Sequence, residues 1–134
     1  MPGPVRITFL YAALLALLFV GLSVRTLLMR RSLRISIGDR GDEAMLRAMR
    51  VHSNFAEYVP LALLLFYFVE LAGTRAAVVH GLGIALLAGR AAHAYGVSHV
   101  QENYRFRVAG MALTLGAIVT ASIRLLGAVV SQGA

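Results

Sequence analysis

The chain has no cysteine and no lysine, and it carries few acidic residues. Without cysteine, disulfides, thiolate metal sites and a protein thiol nucleophile are all excluded, so sulfur chemistry would require a thiol that a ligand supplies. All thirteen basic residues are arginines, against six acidic residues, and the formal net charge is +7. Charged residues nonetheless make up only 14% of the 134 residues, hydrophobic residues make up 59%, and the mean hydropathy is +0.76. This composition predicts a small integral membrane protein.

The arginines are unevenly distributed, and their positions argue against a nucleic-acid partner. One group follows the first apolar segment and another surrounds the third connection, whereas the second connection carries only Arg75. By the positive-inside rule, the first and third connections face the cytoplasm and both termini face the other side. The two groups are Arg30, Arg31, Arg34, Arg40, Arg47 and Arg50, and then Arg90, Arg105 and Arg107.

Four long apolar segments predict an all-α fold, an integral membrane four-helix bundle that is left-handed and antiparallel. We expect a single transmembrane domain over residues 1–134, with spans at about 5–29, 44–72, 75–96 and 106–130. The first segment is longer than the apolar core of a typical signal peptide, and no cleavage site follows it, so it is expected to remain as a helix.

Local signals predict where the second helix begins and ends and where the third packs. Asp42 or Asp39 is expected to cap the start of the second helix, and Gly73 is expected to stop it. Gly81, Gly83 and Gly89 give the third segment small surfaces that a neighbouring helix can approach closely.

The second span opens on a polar string. Arg50, Asn54 and Glu57 are spaced i, i+4 and i+7, so on a helix they are predicted to share one face, which Arg47 extends by a turn. Ionisable groups that enter a membrane span are costly, and by default they indicate a functional site.

Two other segments are expected to bring polar side chains to the same cytoplasmic depth. Arg90 and His93 lie near the end of the third span, and Arg105 and Arg107 lie at the start of the fourth. Three helices are therefore predicted to converge on one polar layer.

Residues 50–60 read Arg-x-x-x-Asn-x-x-Glu-Tyr-x-Pro, and this string resembles the second-helix motif of the MAPEG family, the membrane-associated proteins in eicosanoid and glutathione metabolism. The Gly89-Arg90-x-x-His93 element and the pairing of Arg105 or Arg107 with Gly110 are also similar to the family. The resemblance covers roughly residues 39–126. It implies a bacterial-type member in the inner membrane.

The resemblance implies a homotrimer that binds glutathione, as co-substrate, in a cleft between subunits near the cytoplasmic face. The implied activity is that of a glutathione transferase or peroxidase acting on lipophilic electrophiles that arrive from membrane lipid. Arginine suits the carboxylates of glutathione, a carboxamide can donate and accept, and glutamate suits its ammonium. The implied ligand-binding residues are Arg50, Asn54, Glu57, Tyr58, Arg90 and His93, with Arg107, alternatively Arg105, as the catalytic residue that holds the thiolate.

Several other interpretations remain open at this point. Ser53, His93, Val97 and Met111 stand where some enzymes of the family carry arginine or tyrosine. Of these departures, Ser53, Val97 and Met111 favour a non-catalytic scaffold that binds lipid or a partner. Arg50 could be a simple interfacial anchor. Glu57 could pair with Arg90 in a structural clamp, or titrate in a proton-driven exporter, although its position among arginines disfavours the exporter.

The remaining polar residues carry weaker hypotheses. His93 could be an ordinary histidine at a helix end. No metal site is expected, because no histidine pair has the i, i+4 spacing with a carboxylate that a zinc-binding helix shows. Glu70, Arg75 and Arg124 are expected at the opposite membrane face as a charge cluster or an ion pair.

Overall fold

The computed structural model describes residues 5–132, and over this range the secondary structure is entirely helical. The four helices are α1 (Ile7–Leu33), α2 (Glu43–Leu71), α3 (Ala76–Ser98) and α4 (Tyr104–Gln132). Each is long enough and apolar enough to cross a membrane. The predicted all-α fold with four spans is thus confirmed for the described residues, while residues 1–4 and 133–134 of the predicted domain lie outside them.

The helix ends follow local signals more closely than they follow hydropathy. The side chain of Asp42 accepts a hydrogen bond from the Met45 amide at 2.8 Å, which confirms the predicted cap of α2. After α2, Gly73 has a φ of +76°, a left-handed conformation that glycine adopts without steric cost. Helix α1 continues to Leu33, past residue 29 where the predicted apolar span ends, because arginines continue a helix well even where hydropathy falls.

The start of α1 contacts the end of α2, and the start of α2 contacts the end of α3. Glu70, at the end of α2, binds the first amides of α1, and Arg47, near the start of α2, reaches the carbonyl of Val97 at the end of α3. Helix α3 packs against all three other helices, whereas α1 and α4 do not pack together within the described residues. The left-handed sense of the bundle and its assembly into trimers stay predictions.

Helices α3 and α4 approach backbone to backbone at two glycines. A Cβ atom placed on Gly110 would lie 2.6 Å from both the Gly89 carbonyl oxygen and the His93 amide nitrogen. Gly83 lies against the ring of Tyr11 in α1. Gly83 and Gly89 therefore act as the predicted packing surfaces, while the space beside Gly81 is open.

The apolar side chains divide between one core and an exposed outer surface. Leu15, Phe66 and Leu86 are fully buried between the helices. Many large apolar side chains on α1 and α4 remain exposed, such as Leu17 at 70% and Leu126 at 67%. Such a surface suits contact with lipid tails, which are as apolar as these side chains.

Candidate functional site

Arg90 of α3 lies at the centre of the polar layer with only 2% of its surface exposed. Its Nη1 donates to Asn54 Oδ1 of α2 at 2.5 Å, and its Nε donates to Thr114 Oγ1 of α4 at 2.9 Å. Its Nη2 lies 3.5 Å from the Gly110 carbonyl oxygen and 3.4 Å from Met111 Sδ. One buried guanidinium therefore joins three helices.

All hydrogen-bond partners of Arg90 among the described residues are uncharged. The ring of Tyr58 adds a cation–π contact, with Cζ of Arg90 5.7 Å from the ring centroid. The hypothesised clamp between Glu57 and Arg90 is not formed, because Glu57 points out of the bundle and Asn54 takes the place facing Arg90. Asn54 and Arg90 thus form the link between α2 and α3.

The predicted stripe on α2 divides into two adjoining lines. Arg47, Asn54 and Tyr58 turn toward α3 and the connection that follows it. Arg50 and Glu57 lie on the outer face, exposed, with no side-chain hydrogen bond or ion pair to any residue in 5–132. The outer line continues along the same helix face as exposed apolar side chains, at Leu61, Leu64 and Phe68.

Glu102, in the connection between α3 and α4, binds two arginines. Its Oε2 accepts from Arg47 Nη1 at 3.0 Å, and its Oε1 accepts from Arg107 Nη1 at 3.2 Å. Its side chain is 5% exposed, whereas that of Arg107 is 51% exposed. The hydrogen bond from Arg47, helped by Arg107 and opposed by burial, holds the pKa of Glu102 below its ordinary value.

Sequence reasoning did not single out Glu102. The sequence signal that could have identified it is that only six residues are acidic and that Glu102 stands shortly before Arg105 and Arg107. Through Glu102, the predicted catalytic residue Arg107 is brought to the same end of α2 as Arg47.

The other predicted site residues lie nearby but in different surroundings. Arg105 is exposed, and its amide donates to Asn103 Oδ1 at 3.1 Å. His93 is 5% exposed and packs against Gly110 at the close approach of α3 and α4. Within residues 5–132, no group of three histidine, aspartate or glutamate side chains is placed to hold a metal ion.

Two grooves run along the outer junction of α1 and α2, and neither is lined by Arg50 or Glu57. One, of about 310 Å³, is apolar and is lined by residues such as Phe19, Ala56 and Pro60. The other, of about 340 Å³, is lined in part by Arg30, His52 and Ser53. The junction therefore offers two mainly apolar grooves, the second of which also has polar side chains in its lining.

Comparisons with known proteins agree with the extent of this helical unit. The MAPEG family model matches residues 8–127, which includes parts of all four helices. The inner membrane protein YecN of Escherichia coli K12 is 39% identical over 113 residues, which are 84% of this chain and 85% of that protein. YecN of Escherichia coli O6:H1 matches with the same identity and the same coverage.

Proposed function

The chain belongs to the MAPEG family, and from that premise we propose that it binds glutathione in a cleft between neighbouring copies and activates the thiol. The assembly we propose is a homotrimer in a bacterial inner membrane, with the termini on the non-cytoplasmic side. The reaction is conjugation of the thiol to a lipophilic electrophile, or reduction of a lipophilic peroxide.

One observation carries the proposal: an exposed cation and an exposed carboxylate on one face of a membrane helix. Arg50 and Glu57 are two helical turns apart, about 10 Å at about 1.5 Å per residue. A carboxylate facing hydrocarbon is costly, so Glu57 needs a partner that residues 5–132 of its own subunit do not supply. A peptide with a free carboxylate and an ammonium complements this pair.

Arg90 acts in this proposal through Asn54. Because Asn54 Oδ1 accepts from the Arg90 guanidinium, its amide nitrogen stays available as a donor. Arg90 is itself buried, so it is a positioning residue for Asn54. Tyr58 packs over the same guanidinium, and His93 lies in the α3–α4 contact beside it.

Arg107 is the residue we propose for thiol activation, with Arg105 as the alternative. A guanidinium beside a thiol favours the thiolate, which is the nucleophile. The thiol proton passes to solvent, and the sulfur attacks the electrophilic carbon, whose leaving group departs with the bonding electrons. With a peroxide, the sulfur attacks one oxygen, the O–O bond breaks and the alcohol leaves after taking up a proton. A second glutathione thiol then reduces the sulfenic acid, which gives glutathione disulfide and water. Arg107 is half exposed, so a ligand can reach it, but a bound thiolate would share it with Glu102.

The apolar groove between α1 and α2 is our proposed entry for the lipophilic acceptor. It contains Ala56, the neighbour of Glu57, and it opens on the outer surface of the bundle. An acceptor held there would lie close to the outer line of α2, and proximity would supply much of the rate.

Calorimetric titration of the purified protein with glutathione tests the proposal. Arg50→Gln and Glu57→Gln are each expected to weaken binding about tenfold or more, the value of one lost charge-assisted hydrogen bond. Arg31→Gln, an exposed arginine at the end of α1, is the matched control and should bind as the wild type does. Absence of glutathione binding to the wild type would refute the proposal.

A second function is favoured by the ion pair between Glu102 and Arg107. If Glu102 keeps Arg107 neutralised, the same cleft binds its ligand without activating a thiol, as a scaffold for lipid or a partner would. Ultraviolet absorbance of the glutathione thiolate near neutral pH separates the two functions. An enzyme shows this absorbance and loses it in Arg107→Gln, whereas a scaffold binds glutathione without it.

A further inference from the structure

A cavity of about 390 Å³ lies at the end of the bundle opposite the connection that carries Glu102. It is lined by Gly73, Thr74 and Arg75 of the α2–α3 connection, by Val78 of α3 and by Arg124 of α4. No residue of the proposed glutathione cleft takes part in it. Whatever binds here is therefore independent of the thiol site.

The cavity is lined by two cations and no anion. Arg75 and Arg124 are exposed, and their side chains make no hydrogen bond or ion pair within the described part of the chain. Glu70, the acidic residue closest to Arg75 in sequence, instead accepts hydrogen bonds from the amides at the start of α1, those of Ile7 at 2.9 Å and Thr8 at 2.7 Å.

The hypothesised ion pair of Glu70 with Arg75 or Arg124 is therefore not formed. The first amides of a helix lack intrahelical acceptors and carry partial positive charge, so they hold the carboxylate in place of a guanidinium. Two guanidinium groups are left facing one cavity.

The position of Arg124 along α4 fixes the depth of the cavity in the membrane. No charged residue lies between Arg107 and Arg124, a helical length of about 25 Å. Since the hydrocarbon core is about 30 Å thick, Arg124 lies near the headgroups of one leaflet when Arg107 lies near those of the other. Exposed apolar residues flank it on α4, at Ile123 and Leu126.

We propose that this cavity binds the phosphate of an anionic phospholipid. Guanidinium groups match phosphate oxygens with paired donors, and the Thr74 hydroxyl adds another donor at the rim. A zwitterionic headgroup would bring a third cation into a cavity that has no carboxylate lining it. The acyl chains of the lipid then lie along Ile123 and Val119, toward the membrane centre.

Lipid titration of the purified full-length protein in neutral detergent tests this site, with native mass spectrometry as the readout. Short-chain phosphatidylglycerol is expected to bind at least tenfold more tightly than the matching phosphatidylcholine. Arg75→Gln and Arg124→Gln should each weaken phosphatidylglycerol binding about tenfold. Arg6→Gln, an exposed arginine at the same end that does not line the cavity, should leave it unchanged.

Several outcomes would overturn the assignment. Equal binding of the two lipids, or undiminished phosphatidylglycerol binding in the Arg75→Gln/Arg124→Gln protein, would show that the cavity is not the site. If Arg6→Gln weakened phosphatidylglycerol binding by the same factor, general surface charge and not the cavity would explain the binding. Inorganic phosphate that binds as tightly as the lipid would point to a free anion. Arg124→Lys keeps the charge and should therefore keep part of the affinity for phosphatidylglycerol. Binding by this variant would also show that a chain altered at residue 124 still folds.

Discussion

Arg90 carries a positive charge into the bundle, where its hydrogen-bond partners within residues 5–132 are neutral. In Arg90→Ala we expect the free energy of unfolding to fall by about 3 kcal/mol, because hydrogen bonds to a charged group are lost and a cavity is left. Thermal unfolding in detergent measures this. Arg105→Ala is the control, since that side chain is exposed. An unfolding midpoint of Arg90→Ala equal to that of the wild type would contradict the structural role of this residue.

Arg90→Met separates folding from ligand binding. Methionine fills much of the vacated volume and removes the cost of a buried charge, so the loss of stability should be smaller than in Arg90→Ala. Asn54 is no longer oriented, however, and glutathione affinity should fall about tenfold. Calorimetry on a variant that unfolds near the wild-type temperature is the measurement. An unchanged glutathione affinity would show that the orientation of Asn54 by Arg90 plays no part in glutathione binding.

Glu102 makes stability depend on pH through its two arginine partners. Its pKa is lowered in the folded protein, so its contribution is present above the unfolded pKa of about 4.3 and is lost as the pH falls through the folded value. Glu102→Gln should therefore be less stable than the wild type at pH 7, with a smaller difference below about pH 4. Unfolding midpoints across this range test it. Glu43→Gln, in the more exposed pair with Arg47, should change less, and parallel curves for wild type and Glu102→Gln would contradict the linkage.

The polar layer depends on the close approach of helices α3 and α4. In Gly110→Ala the new methyl group would meet backbone atoms of Gly89 and His93, which cannot rotate away, so the helices must separate. We expect a loss of about 1–3 kcal/mol and a weaker contact between Arg90 and Thr114. Gly116→Ala on the same helix faces open space and should be neutral or slightly stabilising. Equal unfolding temperatures for both variants would contradict this packing.

The helices themselves were predictable because their signals are local. Apolar runs gave the number of spans, and Asp42 and Gly73 gave the ends of α2. The apolar span did not define the end of helix α1, because hydropathy reports which residues prefer lipid, whereas a helix ends where the backbone turns, here at Arg34 with a φ of 55°. Hydropathy and backbone conformation diverge wherever arginines continue a helix into the interface.

The sequence indicated several polar side chains near the start of α2, but neither Glu102 nor the pairs that form between helices. Spacing placed Arg50, Asn54 and Glu57 together on α2, yet the rotation of α2 against α3 decides which of them faces Arg90, and that rotation depends on contacts far apart in sequence. Glu102 lies in a connection, where no helical periodicity reports its direction. Which groups meet across helices is therefore a property of the whole bundle.

At the level of the assembly, the proposed cleft joins Arg50 and Glu57 of one copy to Arg107 of another. At a glutathione concentration near the wild-type Kd, Arg50→Gln alone should bind little glutathione, and Arg107→Gln alone should bind it without forming thiolate. Assembled together in equal amounts, the two chains should restore about one quarter of the wild-type signal, since each interface draws its two contributors independently. Ultraviolet absorbance of glutathione on the mixed oligomers, with the copy number fixed by native mass spectrometry, is the measurement.

The control that locates the site mixes wild type with a chain carrying both Arg50→Gln and Arg107→Gln. A site shared between copies should again retain about one quarter of the signal, whereas a site held within one copy should retain about one half. In that second case the two single variants would also fail to restore any signal when mixed. If the control kept one half of the thiolate signal and the mixture of single variants gave no signal, both arginines would lie in the same subunit. A ligand shared between copies would then not explain the exposed Glu57 carboxylate.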